Sequence, residues 1–191
     1  MTHLRRYCHI TYNHLGTNHM KTAADVILAL EATPGRLDKE AIVQQAWDLG
    51  ITNFFEGAVM AYDALRTFGV KKVPLIEDVD TSPSGPLFTW TNFKSLADKL
   101  ENRILTGNAA RTAMLDAAAS ADAHEWNGFY RRVLLKDLRC GVTDSTVNKI
   151  LGKCGKAAEK YIIPVFSCQL AKPGEDHPKK MTGPKSYDCR S

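Results

Sequence analysis

The sequence predicts an all-α, multi-helix fold that ends in an extended C-terminal tail. Three observations carry this. Apolar residues recur at helical spacing through residues 20–152. Glycine, proline and capping residues divide those runs into pieces of helix length. No strand-like alternation of useful length occurs before residue 160, and there is no internal repeat or heptad run.

The elements follow in order. In KTAADVILALEA, the residues Ala23, Val26, Ile27 and Leu30 share one helical face, and TPG ends the run. LDKEAIVQQAWDL comes next, with Asp38 as the expected N-cap and Gly50 as the stop. TNFFEGAVMAYDALRTF reads as a longer helix with Phe54, Ala58, Ala61 and Leu65 in register. Residues 69–89 hold Pro74, Pro83, Pro86, Gly85 and the acidic run EDVD. They read as a loop with a short extended piece at VPLI. Thr91 is the expected cap of NFKSLADKLENRIL, whose apolar side is Phe93, Leu96, Ala97, Leu100 and Ile104. An alanine-rich helix starts at Gly107 or Asn108. Asp122 and Glu125 form a D-x-x-E capping box before HEWNGFYRRVLLKDL, with Trp126, Phe129, Tyr130, Val133 and Leu134 inward. Thr143 caps the last helix, DSTVNKIL.

Composition excludes several classes. The 44% apolar content of the 191 residues suits a buried core and argues against wholesale disorder. Five cysteines, an odd number with no CxxC pair, argue for reduced thiols and against a disulfide framework or zinc knuckle. No apolar run approaches the roughly 20 residues of a membrane span, and no secretory signal opens the chain. A soluble monomer in the cytoplasm is the expectation. His9, His14 and His19 beside Cys8 are spaced wrongly for one helix face, so no metal site is expected. GEDH near Gly174 lacks partners for acid–base work, Gly107 sits in no P-loop context, and no catalytic residue is assigned.

Charge is unevenly spread. Residues 1–90 hold 8 Lys+Arg against 10 Asp+Glu, whereas residues 91–191 hold 17 against 11. Two stretches concentrate the bases, ILTGNAARTAML and RRVLLKDLRCGVTDSTVNKIL, and both have a helix that stops at glycine and restarts with small polar residues. A restarting helix exposes N–H groups without intrahelical partners, and the helix dipole adds positive potential there. Gly107, Asn108 and Ala109 in the first turn, and Gly141, Thr143 and Ser145 in the second, leave room for a phosphate. Arg103 and Arg111 flank the first. At 100° per residue Arg132, Lys136 and Arg139 make one basic stripe leading to the second. Two readings stand here. Glycine and threonine end and cap helices in any protein, with the bases a solvated face; or the pair of turns reads a sugar–phosphate backbone without sequence specificity.

These same residues resemble a known family. RILTGNAARTAML and FYRRVLLKDLRCGVTDSTVNKILG are similar to the N-terminal DNA-binding domain of ATP-dependent DNA ligases, especially those of T-even and related bacteriophages. The matching positions are Arg103 with Leu105 to Asn108, then Arg132, Leu134, Lys136, Asp137, Leu138, Cys140 and Gly141. The match is strongest over 92–152 and colinear but weaker from about 20 to 91. The resemblance implies a helical domain gripping the minor groove of nicked double-stranded DNA, in replication, repair and recombination. The DNA-binding set it implies is Arg103, Thr106, Gly107, Asn108, Ala109, Arg111, Arg132, Lys136, Arg139, Gly141, Val142, Thr143, Ser145 and Lys149.

The family also has an adenylation domain, whose lysine in K-x-D-G-x-R attacks ATP with magnesium present, and an OB domain. No K-x-D-G occurs in these residues. The expectation is a ligase chain truncated before the adenylation domain, with no cofactor of its own and silent in catalysis alone. Residues 1–19 are expected to be a non-core extension, 20–152 the DNA-binding domain, and 153–191 a linker with the start of the missing domain. The first 19 residues read as upstream sequence from an earlier start, and SYDCRS as a shifted frame. The competing function is a helical adaptor whose basic face docks an acidic protein.

Overall fold

Residues 20–77 and 87–165 are described by the computed structural model, and every regular element among them is helical. Thr22 opens α1 (Ala23–Ala32) with a reciprocal capping box. Its hydroxyl accepts from the Asp25 N–H, and the Asp25 carboxylate accepts from the Thr22 N–H. The face expected from sequence is the buried one. In α2 (Arg36–Asp48) the N-cap is Gly35, not Asp38. Asp38 sits in the first turn and folds its carboxylate back over Gly35, where its charge still complements the helix dipole.

Within α3 (Thr52–Tyr62), Gly57 is placed where a β-carbon would meet the Phe129 ring at 2.3 Å. A glycine inside a helix costs roughly 1 kcal/mol against alanine. Here it lets an aromatic ring lie against the helix backbone. α3 stops earlier than its periodicity predicts. Asp63 turns to extended backbone and its carboxylate accepts from the Leu65 N–H, so Leu65 is 75% exposed instead of joining the apolar face.

Thr89, two residues before the expected Thr91, caps α4 (Trp90–Glu101) in a second reciprocal box with Asn92. Trp90, Phe93, Phe129 and Tyr130 then stack, with centroids 4.8 Å apart for Phe93 and Tyr130 and 5.4 Å for Trp90 and Phe129. Ile104 falls beyond the end of α4 and is 70% exposed, against the expectation that it shared the apolar face. α5 (Gly107–Ser120) packs on α4.

α6 (Ala123–Glu125), a π-helical turn (Trp126–Tyr130) and α7 (Arg131–Leu134) run on as one helix. The capping box at its start is half made. Asp122 accepts from the Glu125 N–H, but the Glu125 carboxylate turns inward to the Tyr130 hydroxyl at 2.7 Å. All five apolar residues expected inward are buried. The VPLI piece pairs with side chains, not with a strand. Trp126 Nε1 donates to Pro74 O at 2.8 Å, and the Asn127 amide both accepts from Ile76 N–H and donates to Ile76 O.

α8 (Asp144–Leu151) leads to a 3₁₀ helix (Lys156–Tyr161) that belongs to the core. Ala158, Tyr161 and Ile163 are buried, and Tyr161 meets Trp47 and Phe55 edge-on or tilted. The Asn148 amide pairs with both backbone groups of Ile163, repeating what Asn127 does for Ile76. The core therefore runs past 152 to Ile163. The Asn148 side chain thus satisfies backbone groups that would otherwise need a strand partner. Val165 is exposed, and Phe166, residues 1–19 and the tail lie outside the described residues. Among the described residues no helix is long and apolar enough to cross a membrane, and no group of acidic, histidine and cysteine side chains could hold a metal ion.

Three carboxylates bind the helices together and predict the acid response. Burial raises the Asp25 acid, but hydrogen bonds from Lys21 N–H, His124 and Thr22 N–H outweigh it and hold it below the usual range. Lys149 donates to both oxygens of Glu40 and lowers that acid. For Glu56, burial is outweighed by Trp90 Nε1 and Lys94. A depressed folded pKa gives stability that is present above the unfolded value and lost as pH falls through the folded one. Melting temperature is therefore expected to be level above about pH 5 and to fall steadily below about pH 4.5. Calorimetry from pH 3 to 7 checks this, and Glu40→Gln should remove part of the slope.

Candidate nucleic-acid interface

Three helices end in the same turn, in which the residue after the cap takes positive φ and two N–H groups bond back into the last turn. α2 uses glycine there: Gly50 has φ 72°, with Gly50 N–H to Trp47 O and Ile51 N–H to Ala46 O. α4 uses Arg103, φ 60°, with Arg103 N–H to Leu100 O and Ile104 N–H to Lys99 O. α7 uses Lys136, φ 56°, with Lys136 N–H to Val133 O and Asp137 N–H to Arg132 O. A side chain in that region costs roughly 1 kcal/mol or more, which glycine avoids. Basic residues at two such positions point to work for their side chains.

Lys136 has structural work. Its ammonium donates to Asp63 O at 2.5 Å and Arg66 O at 2.8 Å, tying off the chain where α3 ends. Burial holds this lysine below its usual range. The helix stops at Leu134, so Arg132, Lys136 and Arg139 do not form a stripe on one helix. Arg132 pairs with Glu31 at 2.6 Å and donates to Leu138 O. Arg139, φ 53°, donates through backbone and side chain to Asp137. Lys149 is held by Glu40.

The second glycine turn is thus largely engaged from within. Val142 is buried, and its carbonyl accepts from the Tyr62 hydroxyl at 2.6 Å. Burial, with the neighbouring Cys140 thiol, pushes the Tyr62 phenol far above its ordinary value. Thr143 is the N-cap of α8 as expected, but its hydroxyl faces Ser145 and Thr146 instead of a first-turn N–H. Gly141, φ 65°, is exposed; a β-carbon there would meet Lys39 Nζ at 2.3 Å. Lys39 crosses the turn to donate to Cys140 O. Sequence reasoning missed Lys39 because 101 residues separate it from its partner, and no local pattern marks such a contact.

The first turn is open. Thr106 is the N-cap of α5 but gives no side-chain cap, and Gly107, Asn108 and Ala109 are exposed at the first turn. Arg103 and Arg111 are exposed and have no acidic partner among the described residues. Arg103 lies over Gly69, φ 68°, where a β-carbon would meet its guanidinium at 1.7 Å. Arg103, Thr106, Gly107 and Arg111 form one wall of a groove of about 690 Å³, with the segment Phe68–Pro74 opposite. Of the residues expected to bind DNA, these come together; Asn108 and Ala109 adjoin them, while Arg132, Lys136, Arg139 and Lys149 are engaged elsewhere.

Two solved structures, named Pmar-Lig_PreS3 and Pmar-Lig_Pre, are similar to this chain, with TM-scores of 0.70 and identities of 53% and 52%. Each likeness covers 83% of this chain and 35% of the solved chain, so the chain spans about a third of those proteins. No family model and no curated protein matches it. The likeness in sequence and fold is therefore to part of larger, ligase-named chains.

Proposed function

We propose that this chain is the N-terminal DNA-binding module of a bacteriophage-type ATP-dependent DNA ligase. It grips nicked duplex DNA through its phosphates, without sequence specificity, in replication, repair and recombination. The observation that carries this is Arg103. It occupies a left-handed position that glycine would fill at lower cost, and with Arg111 it flanks an open helix start on a groove wall with no acidic side chain among the described residues. The likeness to ligase-named structures supports the same reading. In this reading the module's partners are the adenylation and OB domains of a full-length enzyme, which uses ATP and magnesium in the cytoplasm, that of the host for a phage. The module itself forms no lysyl-AMP.

Titration of nicked duplex across salt concentrations tests the reading. Each neutralised phosphate contributes about −0.9 to the slope of log K against log salt. A slope of about −3 or steeper, equal for unrelated sequences, is expected. Failure to bind duplex at about 50 mM salt would sink the proposal and favour a helical adaptor for an acidic protein.

A further inference from the structure

We infer that the segment Phe68–Pro74 is the second wall of a strand-binding groove, with Lys71 and Lys72 contacting the backbone phosphates of the DNA strand that Arg103 and Arg111 hold from the other side. This rests on the DNA-binding reading and adds a binding element that the helix-restart pattern does not contain.

Among the described residues, four cations line the groove, Lys71, Lys72, Arg103 and Arg111, and no acidic residue does. Several bases elsewhere are neutralised by carboxylates. Arg66 pairs with Glu101, Lys94 with Glu56, Arg132 with Glu31 and Lys149 with Glu40. Lys71 and Lys72 are exposed and have no acidic partner among the described residues. Four like charges facing one cleft repel one another, so the arrangement is complementary to a polyanion.

The segment is also fixed in place, as a contact surface must be to bind without a large ordering cost. Phe68 and Val73 are buried on either side of the two lysines. Pro74 O and Val73 O accept from Trp126 and Arg131. Gly69 passes beneath the Arg103 guanidinium, so the two walls touch at one end. Between the charged rims the groove offers Val70, Leu105, Met114 and Leu115, apolar surface that suits the deoxyribose faces between phosphates. The occupant this fits is one strand of the sugar–phosphate backbone, held from both sides.

The test is a salt titration of nicked-duplex binding by the full chain and two double variants. Lys71→Glu with Lys72→Glu should lower the slope by about two units, so that the affinity lost between about 50 and about 200 mM salt shrinks roughly tenfold. Lys153→Glu with Lys156→Glu makes the same charge change on exposed lysines outside the groove and should leave the slope within about half a unit of wild type. Lys71→Gln with Lys72→Gln, checked by circular dichroism, repeats the loss without introducing repulsion. A wild-type slope in both loop variants overturns the groove while leaving the DNA-binding reading intact. Equal losses from the two charge-reversed pairs overturn it too, since the effect is then one of net charge. Absence of wild-type binding overturns both.

Discussion

Arg103→Gly is expected to melt at or slightly above wild type while binding nicked duplex more weakly. Arg103 occupies the left-handed position of a helix-ending turn. Glycine there removes roughly 1 kcal/mol of strain, partly offset by a more flexible unfolded chain. The same change deletes one wall charge, so the salt slope should fall by about one unit. Arg103→Glu with Arg111→Glu should lower it by about two and weaken binding by roughly tenfold or more per contact, as expected for charge-assisted hydrogen bonds. Lys136→Gly should behave in the opposite way. It relieves similar strain but removes the donor to Asp63 O and Arg66 O, so stability falls by about 1–3 kcal/mol with an unchanged slope. If Arg103→Gly destabilises the fold and binds normally, the arginine is structural and the proposed interface is misplaced. Calorimetry and salt titration on the same three preparations decide it.

The contrast between these residues shows what the sequence could and could not reveal. Helix faces were legible because burial follows the 3.6-residue period: Val26, Ile27, Phe54, Phe93 and Trp126 are all where that period puts them. Helix ends were less so. Leu65 and Ile104 keep the period but lie past stops at Asp63, whose carbonyl Lys136 holds, and at a left-handed Arg103, and the 3.6-residue period marks neither stop. The basic stripe failed for the same reason, since 100° spacing describes Lys136 and Arg139 only if the helix continues beyond Leu134. Long-range partners left no local trace. Glu31 and Glu40 neutralise Arg132 and Lys149 across more than 100 residues of chain, and Lys39 reaches Gly141 in the same way. The first turn was readable because its flanking arginines are local to it. Its opposite wall was not, because a loop between Phe68 and Pro74 carries no pattern that points to α5.

Trp126→Ala is expected to give the largest loss of stability of any single substitution, about 3–5 kcal/mol. For a chain of this size that corresponds to a fall in melting temperature of roughly 10 °C or more. Trp126 is fully buried at the start of the π-helical turn, packs edge-on against Phe88 and Tyr130, and donates to Pro74 O. Alanine leaves a cavity beneath the aromatic stack and releases the loop that carries Lys71 and Lys72. Trp126→Phe separates those effects. It fills most of the volume and loses the indole donor, which costs about 1 kcal/mol. With Pro74 unanchored, the two lysines keep their charge but lose their fixed placement. Affinity for nicked duplex should therefore fall several-fold while the salt slope stays near wild type, because the same number of phosphates is neutralised once the loop has closed. A Trp126→Phe variant that is destabilised yet binds as wild type would mean that the loop is held without Pro74, by Phe68, Val73 and the Asn127 pairing with Ile76.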